Sequence, residues 1–291
     1  NVPQFSTIDL NADNILDLMI FDKNGDQINC FINHGTEGIV DYHYAPEYNL
    51  KFPELEDWVL LRDYNCDNKM DIFTSYNGGI RAYKNTSIDE ELNFQLIETI
   101  LTDRGSGPTN LYVSSVDIPH IGDIDYDGDL DILTFTIIGS HVEWHKNNSV
   151  ENFGTCDSLN FELEDECWGD FSENFSDNSV TLYDCEKSKN SANSIETRHS
   201  GSTLTALDLN NDNYFELLLG DITFDNIVML ENSASSENAL MISQDTEFPN
   251  YSESVNLSRF PAAYYFDFDN DSKKDLIVAP NGGNVSHNYE N

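Results

Sequence analysis

Three features of the chain predict an all-β fold, a β-propeller of four-stranded blades. An acidic nine-residue pattern recurs five times, most copies spaced by close to 60 residues. Each copy is followed at once by a short apolar run. No segment of 12 or more residues carries a convincing 3.6-residue periodicity. Short strands at regular spacing suit one four-stranded sheet per unit, and a ring of such sheets.

The pattern is D-x-[DN]-x-D-[NGS]-x-x-[DE], and its copies begin at Asp9, Asp63, Asp123, Asp208 and Asp267. Their starts are separated by 54, 60, 85 and 59 residues, so the spacing is regular apart from one insertion. The apolar runs that follow are Leu18 to Phe21, Ile72-Phe73, Ile132-Leu133, Leu217 to Leu219 and Leu276 to Val278. These read as buried second strands. Third strands are expected at Ile28 to Phe31, Ile80 to Tyr83, Val142 to His145 and Ile227 to Leu230, and fourth strands at segments such as Phe94 to Ile97 and Leu240 to Ile242. An Asn closes each third strand at a nearly fixed offset. Asn33, Asn147, Asn232 and Asn291 lie 24 residues after the first Asp, and Asn85 lies 22 after it. About five blades are covered, in one propeller spanning 1–291 that is expected to be incomplete, with a Cys-containing insertion at 150–203. The bare ends of the sequence read as those of an internal piece of a longer protein.

The chemistry of the repeated loop is that of a hard cation. Ca²⁺ takes 6–8 oxygens at roughly 2.3–2.6 Å. Positions 1, 3 and 5 supply carboxylate or amide oxygens, from Asp9, Asn11 and Asp13, Asp63, Asn65 and Asp67, Asp123, Asp125 and Asp127, Asp208, Asn210 and Asp212, and Asp267, Asp269 and Asp271. Position 7 varies freely (Ile15, Lys69, Asp129, Tyr214, Lys273), as suits a backbone carbonyl ligand. Position 9 is acidic throughout (Asp17, Asp71, Asp131, Glu216, Asp275) and closes the site. Position 6 is Asn14, Asn68, Gly128, Asn213 or Ser272, and Asn and Gly accept the left-handed turn expected there.

Charge points the same way. The 291 residues carry 53 Asp plus Glu against 14 Lys plus Arg, a formal charge of −39. Positions 1, 3, 5 and 9 of the five loops hold 17 of those carboxylates. Packed within a few ångströms, they repel one another unless a cation joins them. Zinc would prefer His and Cys, which the ligand positions lack. A helix–loop–helix calcium site would need helical flanks and a Glu at position 12. The plain alternative is a set of Asp/Asn turns without an ion. The same charge excludes nucleic acid as a partner, and no apolar run reaches the ~20 residues of a membrane span.

These residues resemble the FG-GAP/VCBS repeats of integrin α-chain propellers and of many secreted bacterial proteins. The resemblance covers nearly the whole chain outside the insertion. The Phe-Gly and Gly-Ala-Pro tripeptides of that family are not present as such. Gly78-Gly79 and Ala279 to Gly283 are faint relatives, which places the chain nearer the VCBS side. The resemblance implies one Ca²⁺ in each blade's hairpin loop, about five ions, on one face of a propeller of usually seven blades. The fragment would then be an open arc.

Five cysteines lie at 30, 66, 156, 167 and 185, with no C-x-x-C. Three fall within 30 residues of one another, as suits a local disulfide in an oxidising compartment. Cys156–Cys185 is the expected pair, because it would close the excursion at its base. Trp168, Phe171 and Phe175 lie in the same segment, and Lys187 to Ser202 reads as a loop. His141, Glu143 and His145 alternate on a strand and share a face. His145 takes the repeat position of Phe31, Tyr83 and Leu230, so it is expected to pack rather than ligate. N-x-S/T sequences occur at Asn85, Asn147 and Asn250.

The expected function is a secreted or cell-surface calcium-binding propeller. It would serve as a binding, adhesion or structural module for a protein or carbohydrate ligand on the extracellular side. The alternative is a propeller-based polysaccharide lyase or hydrolase with its site on one face. Against it, no basic cluster and no catalytic motif is evident.

Overall fold

The computed structural model describes residues 1–137, 139–174, 176–185, 201–257 and 259–282. Phe175, nearly all of the loop at 187–202 and the distal Asn291 lie outside these. Within them the chain is all-β, a ring of antiparallel sheets in a propeller arrangement. The first sheet holds β1 (Pro3–Ile8), β2 (Asp17–Asp22), β3 (Gln27–Asn33) and β4 (Tyr42–Tyr44), paired in that order. The second holds β5 (Val59–Arg62), β6 (Asp71–Tyr76), β7 (Gly79–Asn85) and β8 (Phe94–Thr99). Strands β9 (Leu101–Asp103) and β10 (Pro108–Asn110) then extend the outer edge of the third sheet. That sheet is built on β11 (His120–Gly122), β12 (Asp131–Phe135), β13 (Val142–Asn147) and β14 (Phe161–Asp165), with β9 parallel to β14. A small hairpin, β15 (Phe171–Glu173) and β16 (Val180–Leu182), precedes the fourth sheet. The fourth comprises β17 (Ser202–Leu207), β18 (Glu216–Asp221), β19 (Ile227–Asn232) and β20 (Met241–Asp245). The pair β21 (Pro261–Phe266) and β22 (Asp275–Pro280) follows.

The second strands β6, β12 and β18 are buried on both faces, which is why they read as continuous apolar runs rather than as alternation. Each is sandwiched between the neighbouring sheets. Trp58, Phe73, Ile121 and Ile132 pack in one such interface, together with Ala262 and Tyr264. Trp144, Trp168, Leu217 and Leu219 pack in another.

Innermost strands would otherwise present bare edges to the axis, with unpaired N–H and C=O groups. Side chains stitch them to the next sheet instead. Val59 N donates to Gln4 Oε1 (2.8 Å) and Leu61 N to Ser6 Oγ (3.2 Å). Arg62 Nε donates to Ile121 O (2.9 Å). Ala206 N donates to His120 Nδ1 (3.2 Å), an imidazole that burial pushes down to about 3 and so keeps neutral. Thr203 and Thr205 hydroxyls donate to Pro261 O and Ala263 O, both 2.8 Å. The stitching returns to the start, where Gln4 Nε2 donates to Asn281 Oδ1 (3.2 Å) and Phe5 packs edge-on against Tyr264 (5.4 Å). Strand β21 thus touches both β17 and β1, and the described residues close into a ring. The open arc implied by the resemblance is not what they form.

The cysteines pair otherwise than expected. Cys66 bonds Cys156, and Cys167 bonds Cys185. Cys30 is a free, fully buried thiol that desolvation pushes up to about 12. The expected Cys156–Cys185 pair rested on closing the excursion at its base. Proximity in space is set by the ring, which brings the second acidic loop, where Cys66 lies, beside the third sheet. Within the expected insertion, β14 is the ordinary fourth strand of that sheet. Trp168 and Phe171 are fully buried rather than displayed on a flap. Strand β16 docks on the fourth sheet through Val180 and Gln244, which exchange two hydrogen bonds (2.8 and 2.9 Å).

The two disulfides close loops of 90 and 18 residues along the sequence. Loop-closure entropy makes the longer one worth about 1.4 kcal/mol more. Denaturant titration of Cys66→Ser/Cys156→Ser against Cys167→Ser/Cys185→Ser should show that order, with both variants less stable than the parent.

Candidate metal centre

All five acidic loops connect the innermost strand of a sheet to its second strand, so they gather on one rim of the ring. The hairpins close at the same register in every case, with position 9 opposite the last residue of the first strand. The pairs are Ile8–Asp17, Arg62–Asp71, Gly122–Asp131, Leu207–Glu216 and Phe266–Asp275.

Inside each loop the carboxylates first organise the backbone. The position 1 Asp accepts the N–H of position 6: Asn14, Asn68, Gly128, Asn213 and Ser272 donate at 3.0, 2.8, 3.2, 3.0 and 2.9 Å. The position 5 Asp accepts the N–H of position 7 at 2.8–3.0 Å in all five. Both positions 4 and 6 are left-handed. Position 6 was legible from its Asn and Gly residues. Position 4 was not, because Ala12, Cys66 and Tyr126 (φ 60°, 58° and 63°) seldom adopt that region. Each such residue costs roughly 1–2 kcal/mol, offset here by the amide-to-carboxylate bonds.

Position 9 has the most buried carboxylate. Asp17, Asp71 and Asp131 are fully buried and Glu216 is 2% exposed. One oxygen accepts the N–H of position 2, from Leu10, Tyr64, Ile124, Leu209 and Phe268 at 2.8–3.1 Å. The other, in the first three sheets, accepts the N–H of the recurrent Asn33, Asn85 or Asn147 at 2.7–2.8 Å. Asn33 and Asn85 then return their side-chain amides to Leu16 O and Met70 O, the position 8 carbonyls. This explains the fixed Asn offset, since the residue clamps the end of the third strand onto the loop. Asn85 and Asn147 are accordingly buried, which removes them as glycan acceptors in the folded protein, whereas Asn250 is exposed. In the first three sheets position 9 thus braces the hairpin with both oxygens, a role that the expectation of a simple closing ligand did not contain.

The remaining oxygens face one another. Carboxylate oxygens of Asp123, Asp125 and Asp127 lie within 4.8 Å of one another, as do those of Asp267, Asp269 and Asp271. In the other loops position 3 is Asn11, Asn65 or Asn210, and each accepts the N–H of position 5 through Oδ1 at 2.9–3.1 Å. Asp123 Oδ1, Asp125 Oδ1, Asp127 Oδ2 and Asp267 Oδ1 are buried without a hydrogen-bond donor. Oxygen-only donors with unspent, desolvated lone pairs fit a hard divalent cation.

Burial also raises these carboxyls, Asp17 to about 6, Asp71 to about 7 and Asp131 to about 8, because desolvation outweighs their amide donors. Asp127 and Asp129, pushed up to about 7 and about 6, follow them for the same reason. His145 is buried as expected. Its Nδ1 meets Thr102 Oγ1 (2.9 Å), and its Nε2 meets Glu143 (3.3 Å), which also pairs with Arg104. His141 bonds Ser140 Oγ (2.7 Å), so the alternating trio is divided between two environments.

No family model and no curated protein matches the chain. Among solved structures, an Agrocybe aegerita lectin, described for its specific recognition of non-reducing terminal N-acetylglucosamine, aligns over 95% of this chain and 74% of that chain. The TM-score is 0.43 and the identity 14%. So distant a likeness says nothing about the site.

Two outcomes are expected in chelator. Asp71→Ala strands two buried N–H groups and should cost about 2–4 kcal/mol, against less than about 1 kcal/mol for the exposed Asp67→Ala. Raised carboxyls make the fold bind more protons than the unfolded chain between pH ~4 and ~8. Stability in chelator is therefore fully present below ~4 and falls as pH rises through about 6, 7 and 8. Denaturant midpoints at pH 5 and pH 8 measure it, and a midpoint that rises toward pH 8 would contradict it.

Proposed function

We propose that the protein is a calcium-stabilised propeller that works as an extracellular binding or adhesion module, with a protein or carbohydrate ligand. The observation that supports the calcium reading is the fivefold loop, the same hairpin on the same rim, with buried carboxylate oxygens in the third and fifth loops that have no hydrogen-bond donor among the described residues. The ligands proposed are positions 1, 3 and 5 of each loop, the position 7 carbonyl and the acid at position 9. Ca²⁺ would neutralise the repulsion among these carboxylates and lock the left-handed turns. Five ions would take the formal charge from −39 to −29.

Two disulfides accord with an oxidising, extracellular setting, and among the described residues no helix is long and apolar enough to cross a membrane. Binding is favoured over catalysis by where the cations are. Arg81 lies over the Tyr76 ring, Arg104 pairs with Glu143, Lys146 with Asp125, and Lys273 with Asp271. Arg62 donates to main-chain carbonyls. Each is committed locally, whereas a lyase acting on an acidic sugar needs several that converge. The loop-bearing rim offers an aromatic contact surface as well: Tyr126, 51% exposed, is stacked on Phe215 of the next loop at 5.1 Å.

Each site held at about 100 times its Kd adds about 3 kcal/mol to the folded state. Chelation should therefore lower the melting temperature by more than about 10 °C, and added Ca²⁺ should restore it. An identical melt in EDTA would refute structural calcium. Asp127→Ala should weaken the third site while the other loops keep their ions, as read by Ca²⁺ titration.

A further inference from the structure

The third loop departs from the other four. Its position 7 is a carboxylate, Asp129, where they carry Ile15, Lys69, Tyr214 and Lys273. A short helix, α1 (Ser149–Phe153), follows β13 and lies over this loop, with Val150 N donating to Asp129 Oδ2 (2.9 Å). That contact brings Glu151 to the loop. Carboxylate oxygens of Asp127, Asp129 and Glu151 lie within 4.8 Å of one another. Asp129 is 1% exposed, and its Oδ1 is buried without a hydrogen-bond partner. A desolvated, unpartnered carboxylate oxygen on a residue clustered with two other carboxylates is costly unless a cation meets it.

One cation is already present. Lys146 Nζ touches Asp125 Oδ2 and Glu151 Oε1 and lies 3.6 Å from Asp127 Oδ2. Its single charge serves Asp125, Asp127 and Glu151, in a loop that also holds Asp123, Asp129 and Asp131, and it leaves Asp129 Oδ1 unmet. The Cys66–Cys156 disulfide anchors the chain just beyond α1 to the second loop, so Glu151 is held where it is by a covalent tie.

We propose that the third loop carries a second divalent-cation seat, formed by Asp127, Asp129 and Glu151, beside the one common to all five loops. Asp127 bridges the two positions, and Lys146 yields Glu151 to the incoming ion. The cation class is Ca²⁺ or another hard divalent ion, since every donor is a carboxylate oxygen. The inference rests on the calcium reading of the loops and adds a ligand from outside the repeat.

Calcium content of the full chain, measured by equilibrium dialysis and atomic emission, tests it. Glu151→Gln sits on a 39% exposed side chain and is expected to fold. It should hold one Ca²⁺ fewer per chain than the parent, with an unchanged melt in EDTA. Asp129→Asn should lose the same ion, and the double variant should lose no more than either. Equal calcium content in parent and Glu151→Gln, with the loops loaded, would overturn the second seat alone. A parent that binds no Ca²⁺ would overturn both readings.

Discussion

A buried carboxylate at the start of the second strand holds each of the first four sheets together. Asp17, Asp71, Asp131 and Glu216 each sit in the core end of a hairpin, and an ionised group there is tolerated only when donors surround it. The backbone supplies them, from position 2 of the loop on one side and, in the first three sheets, from the recurrent Asn on the other. The carboxylate therefore dictates the course of the loop, the register of the hairpin and the place where the third strand ends. Because the same group recurs in each sheet, the sheets are alike, and alike sheets pack into a ring.

That bracing leaves the rest of the loop with a surplus of negative charge. Positions 1, 3 and 5 hold their own amides, yet several oxygens remain buried without a donor. Left-handed Ala12, Cys66 and Tyr126 add backbone strain. The divalent ion proposed for these loops would relieve the repulsion directly and would oppose release of the strain by fixing the turn. The third loop shows how far the imbalance reaches, since even a lysine drawn in from β13 does not satisfy every oxygen around it.

Ring closure obeys a different economy. Propellers leave the inner edge of each sheet unpaired, and here polar side chains fill the role of a further strand. Gln4, Ser6, Arg62, His120, Thr203 and Thr205 link each sheet to the next. The disulfide between Cys66 and Cys156 adds a covalent link between the second and third units at the loop-bearing rim.

Much of this was legible in the sequence because it is local. The acidic pattern, the buried second strands, the Asn at its fixed offset and the packing role of His145 all follow from residues within about 25 positions of one another. Hairpin chemistry and strand periodicity act on that scale. Tertiary structure decided what depends on the angle between sheets: the closure of the ring, the Cys66–Cys156 pairing, and the burial of Trp168 and Phe171. No local rule sets that angle. It emerges from how tightly large side chains fill the space between neighbouring sheets, and only then are residues 90 apart in sequence brought within bonding distance.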